Sequence, residues 1–228
     1  MNKLINSGRS AWRLALALAP LSWCWTAPAQ AQWSQSPVRW QVLTGYSATL
    51  GRTADYLQGG YLLAGGFSVT PSAASPLDFR FDLSYSRHQA SQQLLAQGQT
   101  TTTFQVDNGS GQIWSATGNV AYHVPIAYGV RGYGIAGVGA YHARIELTQL
   151  YYAGLYYNCD PYIDYCYGSG LGEQVVAAHD TTKVGWNAGV GIEFALPGGQ
   201  SWFVESRYHR METSQPIQYV PIAIGYRF

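Results

Sequence analysis

Eight charged side chains stand at every second position of short alternating stretches: Arg39, Asp78, Arg80, Asp82, Lys183, Glu193, Glu205 and Arg207. Carboxylates and cations sharing one face can neutralise one another where water is scarce, or can line a polar path if the pairs open. His209, with Glu212, Thr213 and Ser214 close behind it, invites a test for a nucleophile activated by histidine and an acid. His88, His123, His142 and His179 have no paired spacing of the kind that holds a metal, so neither a metal nor a cofactor is expected. Cys159 and Cys166 lie in a tyrosine-rich stretch and could close a small covalent ring.

Such side chains need elements that hold them on one side, and the pattern is that of strands rather than helices. Leu77, Phe79, Phe81, Leu83 and Tyr85 alternate with Asp78, Arg80, Asp82, Ser84 and Ser86. Similar stretches cover 38–47, 61–69, 113–124, 182–194, 202–209 and 219–228, and a glycine-rich one covers 128–147, whose faces stay unassigned. An apolar face opposite an ionic one places lipid outside and polar groups inside. In hydrocarbon each unpaired peptide group costs several kcal/mol, so the strands must close on themselves. The expected fold is all-β: an eight-stranded antiparallel up-and-down transmembrane β-barrel. Tyrosine and tryptophan at many strand ends, Trp40, Tyr46, Tyr61, Tyr85, Trp114, Tyr122, Tyr133, Trp202 and Tyr226, would form its interfacial girdles. Connections at 71–76, 125–127 and 196–200 are short, whereas 48–59, 87–111, 148–178 and 212–216 are mostly longer and polar. The short set suits a periplasmic rim and the long set the cell surface.

Lys3, Arg9 and Arg13, the apolar run 14–25 and the small residues up to Ala29 and Ala31 read as a secretory leader over 1–31. The domain is then 32–228. The chain has 13 Lys and Arg and 12 Asp and Glu; without the leader's three cations, 13 − 3 leaves ten against twelve. A net charge near −2 argues against nucleic acid as a partner. Two cysteines remain after the leader, and an even count in an exported chain favours a disulfide between Cys159 and Cys166. That eight-residue ring would restrain the unbound loop by about 2.5 kcal/mol in the chain-entropy model.

The segments Phe203-Val204-Glu205-Ser206-Arg207-Tyr208, Tyr133-Gly134-Ile135-Ala136-Gly137-Val138-Gly139 and Val220-Pro221-Ile222-Ala223-Ile224-Gly225-Tyr226-Arg227-Phe228 resemble the small outer-membrane β-barrel family that includes OmpA-like, OmpX-like and opacity-type proteins. The resemblance implies localisation in the bacterial outer membrane, with lipid and lipopolysaccharide around the wall. It also implies that Ile224, Tyr226 and Phe228 form the signal read by the barrel-assembly machinery during insertion. Nothing after Phe228 resembles a peptidoglycan-binding domain, so the anchoring role of larger relatives is not expected.

The family hosts several roles, and three stay open. A structural or surface-contact role would lie in the loops, above all 150–172, where seven tyrosines flank the cysteines and no lysine or arginine occurs. Those tyrosines could meet an extracellular ligand or pack on the leaflet surface, and a Cys/Asp metal clip is a third reading. A small-solute pore would need the interior charges to part, which glycine and alanine at 66, 189, 191, 223 and 225 leave room for. A lipid-A-modifying enzyme would need a nucleophile. The barrel deacylases place a serine two residues after the histidine, where this chain has Met211, so no catalytic residue is expected.

Overall fold

The computed structural model describes residues 37–72, 75–101, 106–152, 158–160, 165–167 and 171–228, so the expected leader lies outside it. Among the described residues the elements follow as β1 Val38–Thr49, α1 Thr53–Tyr56, β2 Leu57–Val69, β3 Leu77–Ala90, α2 Gln92–Thr101, β4 Asn108–Ala127, β5 Val130–Tyr152, β6 Asn158–Asp160, β7 Tyr165–Tyr167, β8 Leu171–Ala195, β9 Ser201–Met211 and β10 Ile217–Arg227. Eight strands close an antiparallel barrel in the ring order β1, β10, β9, β8, β5, β4, β3, β2, and β6 pairs with β7 in a separate hairpin. Neighbours in the ring are neighbours along the chain, apart from the seam. There β1 pairs with β10 from Gln41 opposite Arg227 to Thr49 opposite Tyr219. Trp40 and Phe228 add two reciprocal backbone hydrogen bonds of 2.9 Å at the seam's lower end. No sheet edge is left inside the wall.

Alternation in the sequence becomes alternation of environment. Along β3 the residues from Leu77 to Ser84 switch between exposed and buried at each step, with Phe79, Phe81 and Leu83 outside and Asp78, Arg80, Asp82 and Ser84 inside. Val190 on β8 is 67% exposed and Leu63 on β2 is 59% exposed. A wall of this kind is stable only against lipid. Aromatic rings bridge strands on the outside: Phe67 stacks on Phe81 at 5.2 Å, Trp114 meets Tyr85 at 4.8 Å, and Trp202 meets Tyr226 at 5.0 Å. Along β4, Trp114 and Tyr122 lie eight residues apart, roughly 26 Å at about 3.3 Å per residue. With the usual tilt that is roughly 20 Å along the membrane normal, near the height of the apolar band of such barrels.

The glycine-rich β5 resolves into two faces. Tyr133, Ile135, Tyr141 and Ala143 are buried within the barrel, and Val138 is exposed on its outside. Tyr133 is therefore not a girdle residue: it points inward, because its parity on β5 is that of the core. The remaining eight aromatics expected in the girdles face outward, exposed or half-buried.

Turn lengths are asymmetric as expected. At the lower rim β4 and β5 meet through Tyr128 and Gly129, where Gly129 adopts φ +69°. At the opposite rim, β5 and β8 run on well past their neighbours. They pair with each other up to Tyr152 opposite Leu171, whereas β9 stops pairing with β8 at Gly185 opposite Met211. Much of the expected loops 87–111 and 148–178 is thus strand or helix: β3, α2 and β4 in the first, and a projecting β5–β8 ribbon that carries the β6–β7 hairpin in the second.

Candidate functional site

The interior is built in layers from residues at alternate positions of the strands. At the lower rim Glu193 of β8 is fully buried and meets three guanidiniums: Arg131 at 2.9 Å, Arg227 at 2.9 Å and Arg39 at 3.5 Å. Ser201 donates to its second oxygen at 2.5 Å. Asp78 of β3 receives Arg39 at 3.0 Å and Thr70 at 2.5 Å, and His123 Nε2 lies 2.9 Å away.

A second cluster sits one to two layers higher. Asp82 meets Arg80 at 3.1 Å and Arg207 at 2.9 Å, while Glu205 meets the same two arginines at 2.7 and 2.5 Å. Gln41 donates to Asp82 at 2.6 Å and the Tyr133 hydroxyl to Glu205 at 2.7 Å. Between the clusters lies Phe203, with the Cζ atoms of Arg80 and Arg227 at 5.2 and 5.1 Å from its ring centre. The charges form a continuous network from β1, β3, β5, β8, β9 and β10, joined between the clusters by Gln41, which accepts from Arg227 and donates to Asp82.

Seven of the eight expected charges join this network, and Lys183 does not. It shares the inward parity, since it lies opposite Tyr141 on β5, but it is exposed above the core at the barrel mouth. Alternation gives the side a residue faces but not its depth. The network also takes in Arg131, Arg227, His123 and Gln41, which were not among the expected charges. Arg227, Gln41 and His123 have the inward parity of their strands, since Arg227 alternates with the outward Tyr226 and Phe228. Arg131 stands two residues before Tyr133 on the strand whose faces stayed unassigned.

The small residues expected to leave room for water are instead covered by large neighbours. Phe203 lies against Gly225, Tyr133 against Gly191 and the Arg207 side chain against Gly189, close enough that a Cβ at any of these glycines would clash. The void found beside Asp82, Glu205 and Arg207 measures about 20 Å³, room for about one water molecule.

Above the ionic layers an aromatic plug closes the barrel. His209 stacks on Tyr219 at 4.8 Å, its Nδ1 lies 3.1 Å from the Tyr141 hydroxyl, and Met211 and Ile113 pack around them. His209 is therefore buried inside the wall rather than exposed at a rim. Glu212 pairs outside with Arg210 at 2.9 Å, so the tested histidine, acid and hydroxyl are not assembled.

Over the plug opens a cavity of about 510 Å³. Its walls come from α1, the β9–β10 turn and the inward face of the β5–β8 ribbon, with Leu94 of α2 at one side. In the β6–β7 hairpin the register sets Cys159 directly opposite Cys166. Of the three residues expected to carry an assembly signal, Ile224 and Phe228 are exposed on the lipid face, and the Tyr226 ring lies between Trp202 and Phe228 at 5.0 and 6.2 Å. Among the described residues no three histidine, cysteine or acidic side chains converge as metal ligands.

A family model described as the outer membrane protein beta-barrel domain matches residues 15–228. The chain belongs to this family. It is an outer-membrane β-barrel protein of bacteria. Among solved structures it is similar to Neisserial surface protein A, at 12% identity and a TM-score of 0.52, covering 84% of this chain and 96% of that one. It is also similar to Ail of Yersinia pestis crystallised with the heparin analogue sucrose octasulfate, at 12% identity, TM-score 0.45, covering 85% and 100%. OprG of Pseudomonas aeruginosa is another, at 8% identity, TM-score 0.43, covering 83% and 95%. No individual curated protein matches the sequence. At 12% identity the likeness to Neisserial surface protein A is one of fold.

Proposed function

We propose that this outer-membrane barrel is a closed, non-enzymatic scaffold that presents the β5–β8 ribbon to surfaces outside the cell. The observation that carries this reading is the ribbon itself. Residues 171–183 of β8 pair with β5 on one side, and among the described residues no strand pairs with their other side. A strand edge held above the membrane can accept an extended segment of another protein by backbone pairing. The tyrosine-rich tip, cross-linked between Cys159 and Cys166, would add contact area at low entropic cost. Opposite positions in an antiparallel pair have Cα atoms about 4.5–5.5 Å apart, within the span a disulfide takes, so the register supports that bond. The filled interior supports a closed barrel, and the buried setting of His209 supports a structural role for it.

Two measurements test the reading. Cells displaying the protein should adhere to protein-coated surfaces, and replacing residues 149–174 by a short turn should remove most of that adhesion while the barrel still folds. In planar bilayers the purified protein should give no discrete conductance steps. Adhesion that survives the replacement, or steps that vanish when Arg80 or Glu205 is replaced, would overturn it.

A further inference from the structure

The 510 Å³ cavity at the barrel mouth has the size of a small-molecule site and a division of chemistry that fits one ligand class. Its floor is apolar. Ala143 and Ile217 line it and pack against the Tyr141, Met211 and Tyr219 plug beneath, and Leu57 and Ile145 extend the greasy wall upward. Its basic lining is Arg52 beside α1, and Lys183 and His179 on the inward face of β8. No aspartate or glutamate lines it, and among the described residues none of the three forms an ion pair. The carboxylates inside the barrel are spoken for below, in two clusters separated from the cavity by the plug.

We propose that this mouth is a binding site for a small anionic amphiphile: a carboxylate held by Arg52 and Lys183 at the rim, with its aliphatic tail on the floor formed by Ala143, Ile145 and Ile217. The apolar floor supplies burial for the tail, and the unpaired cations supply a field that a neutral ligand of the same shape cannot use. An alcohol of equal length lacks the charge, and a short acid lacks the tail. The site faces the outside, with no open path beneath it, so the ligand enters and leaves by the same mouth. This inference does not depend on what the ribbon tip contacts.

The test uses the full mature protein in phosphatidylcholine nanodiscs, with equilibrium dialysis of radiolabelled decanoate and empty nanodiscs as the baseline. One saturable site per barrel is expected, with decanol and acetate at least about tenfold weaker. The double variant Arg52→Gln, Lys183→Gln, altered only at exposed positions, should weaken decanoate by about tenfold or more. Thr181→Trp, which fills the cavity from β8, should abolish saturable uptake. Decanoate uptake no greater than by empty nanodiscs, equal retention of decanol, or binding untouched by the charge-removing pair would each overturn the proposal. A barrel with residues 149–174 shortened should still take up decanoate, which separates this site from the adhesive role of the tip.

Discussion

Glu205 illustrates how much a single interior side chain holds in place. Its carboxylate meets Arg80, Arg207 and Tyr133, which reach it from β3, β9 and β5. Glu205→Gln removes the charge and leaves two guanidiniums without it, which should cost about 3–5 kcal/mol. Replacing the charged set together, Arg80→Met with Asp82→Leu, Glu205→Leu and Arg207→Met, should cost less than the single change. Urea unfolding in lipid vesicles measures both, and a larger loss for the fourfold variant would mean that water reaches these charges. A pair of glycines makes a second contrast. Gly191→Ala drives a methyl into the Tyr133 ring and should destabilise by about 1–3 kcal/mol, whereas Gly134 faces lipid with nothing within 4 Å. Gly134→Ala should be neutral or slightly stabilising in the same assay.

At the scale of elements, the ribbon and its terminal hairpin are separable from the wall. With Cys159 facing Cys166 in register, the oxidised protein should resist thiol alkylation until it is reduced, by mass spectrometry of the intact chain. Cys159→Ser should leave unfolding of the barrel within about 0.5 kcal/mol of the parent while hastening proteolysis at the tip. Alkylation of both cysteines without reductant would refute the bond. Strands β3, β9 and β10 were legible because lipid imposes one chemistry on every outward position, so each alternation has an unambiguous greasy side. The same reasoning stalled at β5, where inward positions carry Tyr133, Ile135 and Tyr141, as apolar as the outward Val138. It misplaced Lys183 for a related reason: strand parity continues above the bilayer, but the low dielectric that forces charges to pair does not. The mouth cavity was not legible at all, since its walls join α1, the β9–β10 turn and β8, segments far apart in the chain.

For the molecule as a whole, the outward face is the test of the architecture. Val190 lies midway between Trp186 and Phe194 on β8, and Val190→Arg should cost roughly 2–4 kcal/mol, as a cation does at the centre of a bilayer. The same substitution at Tyr128, in the lower turn, should cost roughly 0–1 kcal/mol. Equal costs at the two depths, measured by unfolding in vesicles, would mean that Val190 does not meet lipid.

The seam between β1 and β10 has a kinetic consequence. Gln41 and Arg227 are bonded partners 186 positions apart, so the ring can be completed only once both ends have been delivered to the same place. Until then two strands carry raw donor and acceptor rows, which hydrocarbon does not tolerate and which invite pairing between chains. Closure of the seam is therefore the step at which association between chains competes with folding of one chain.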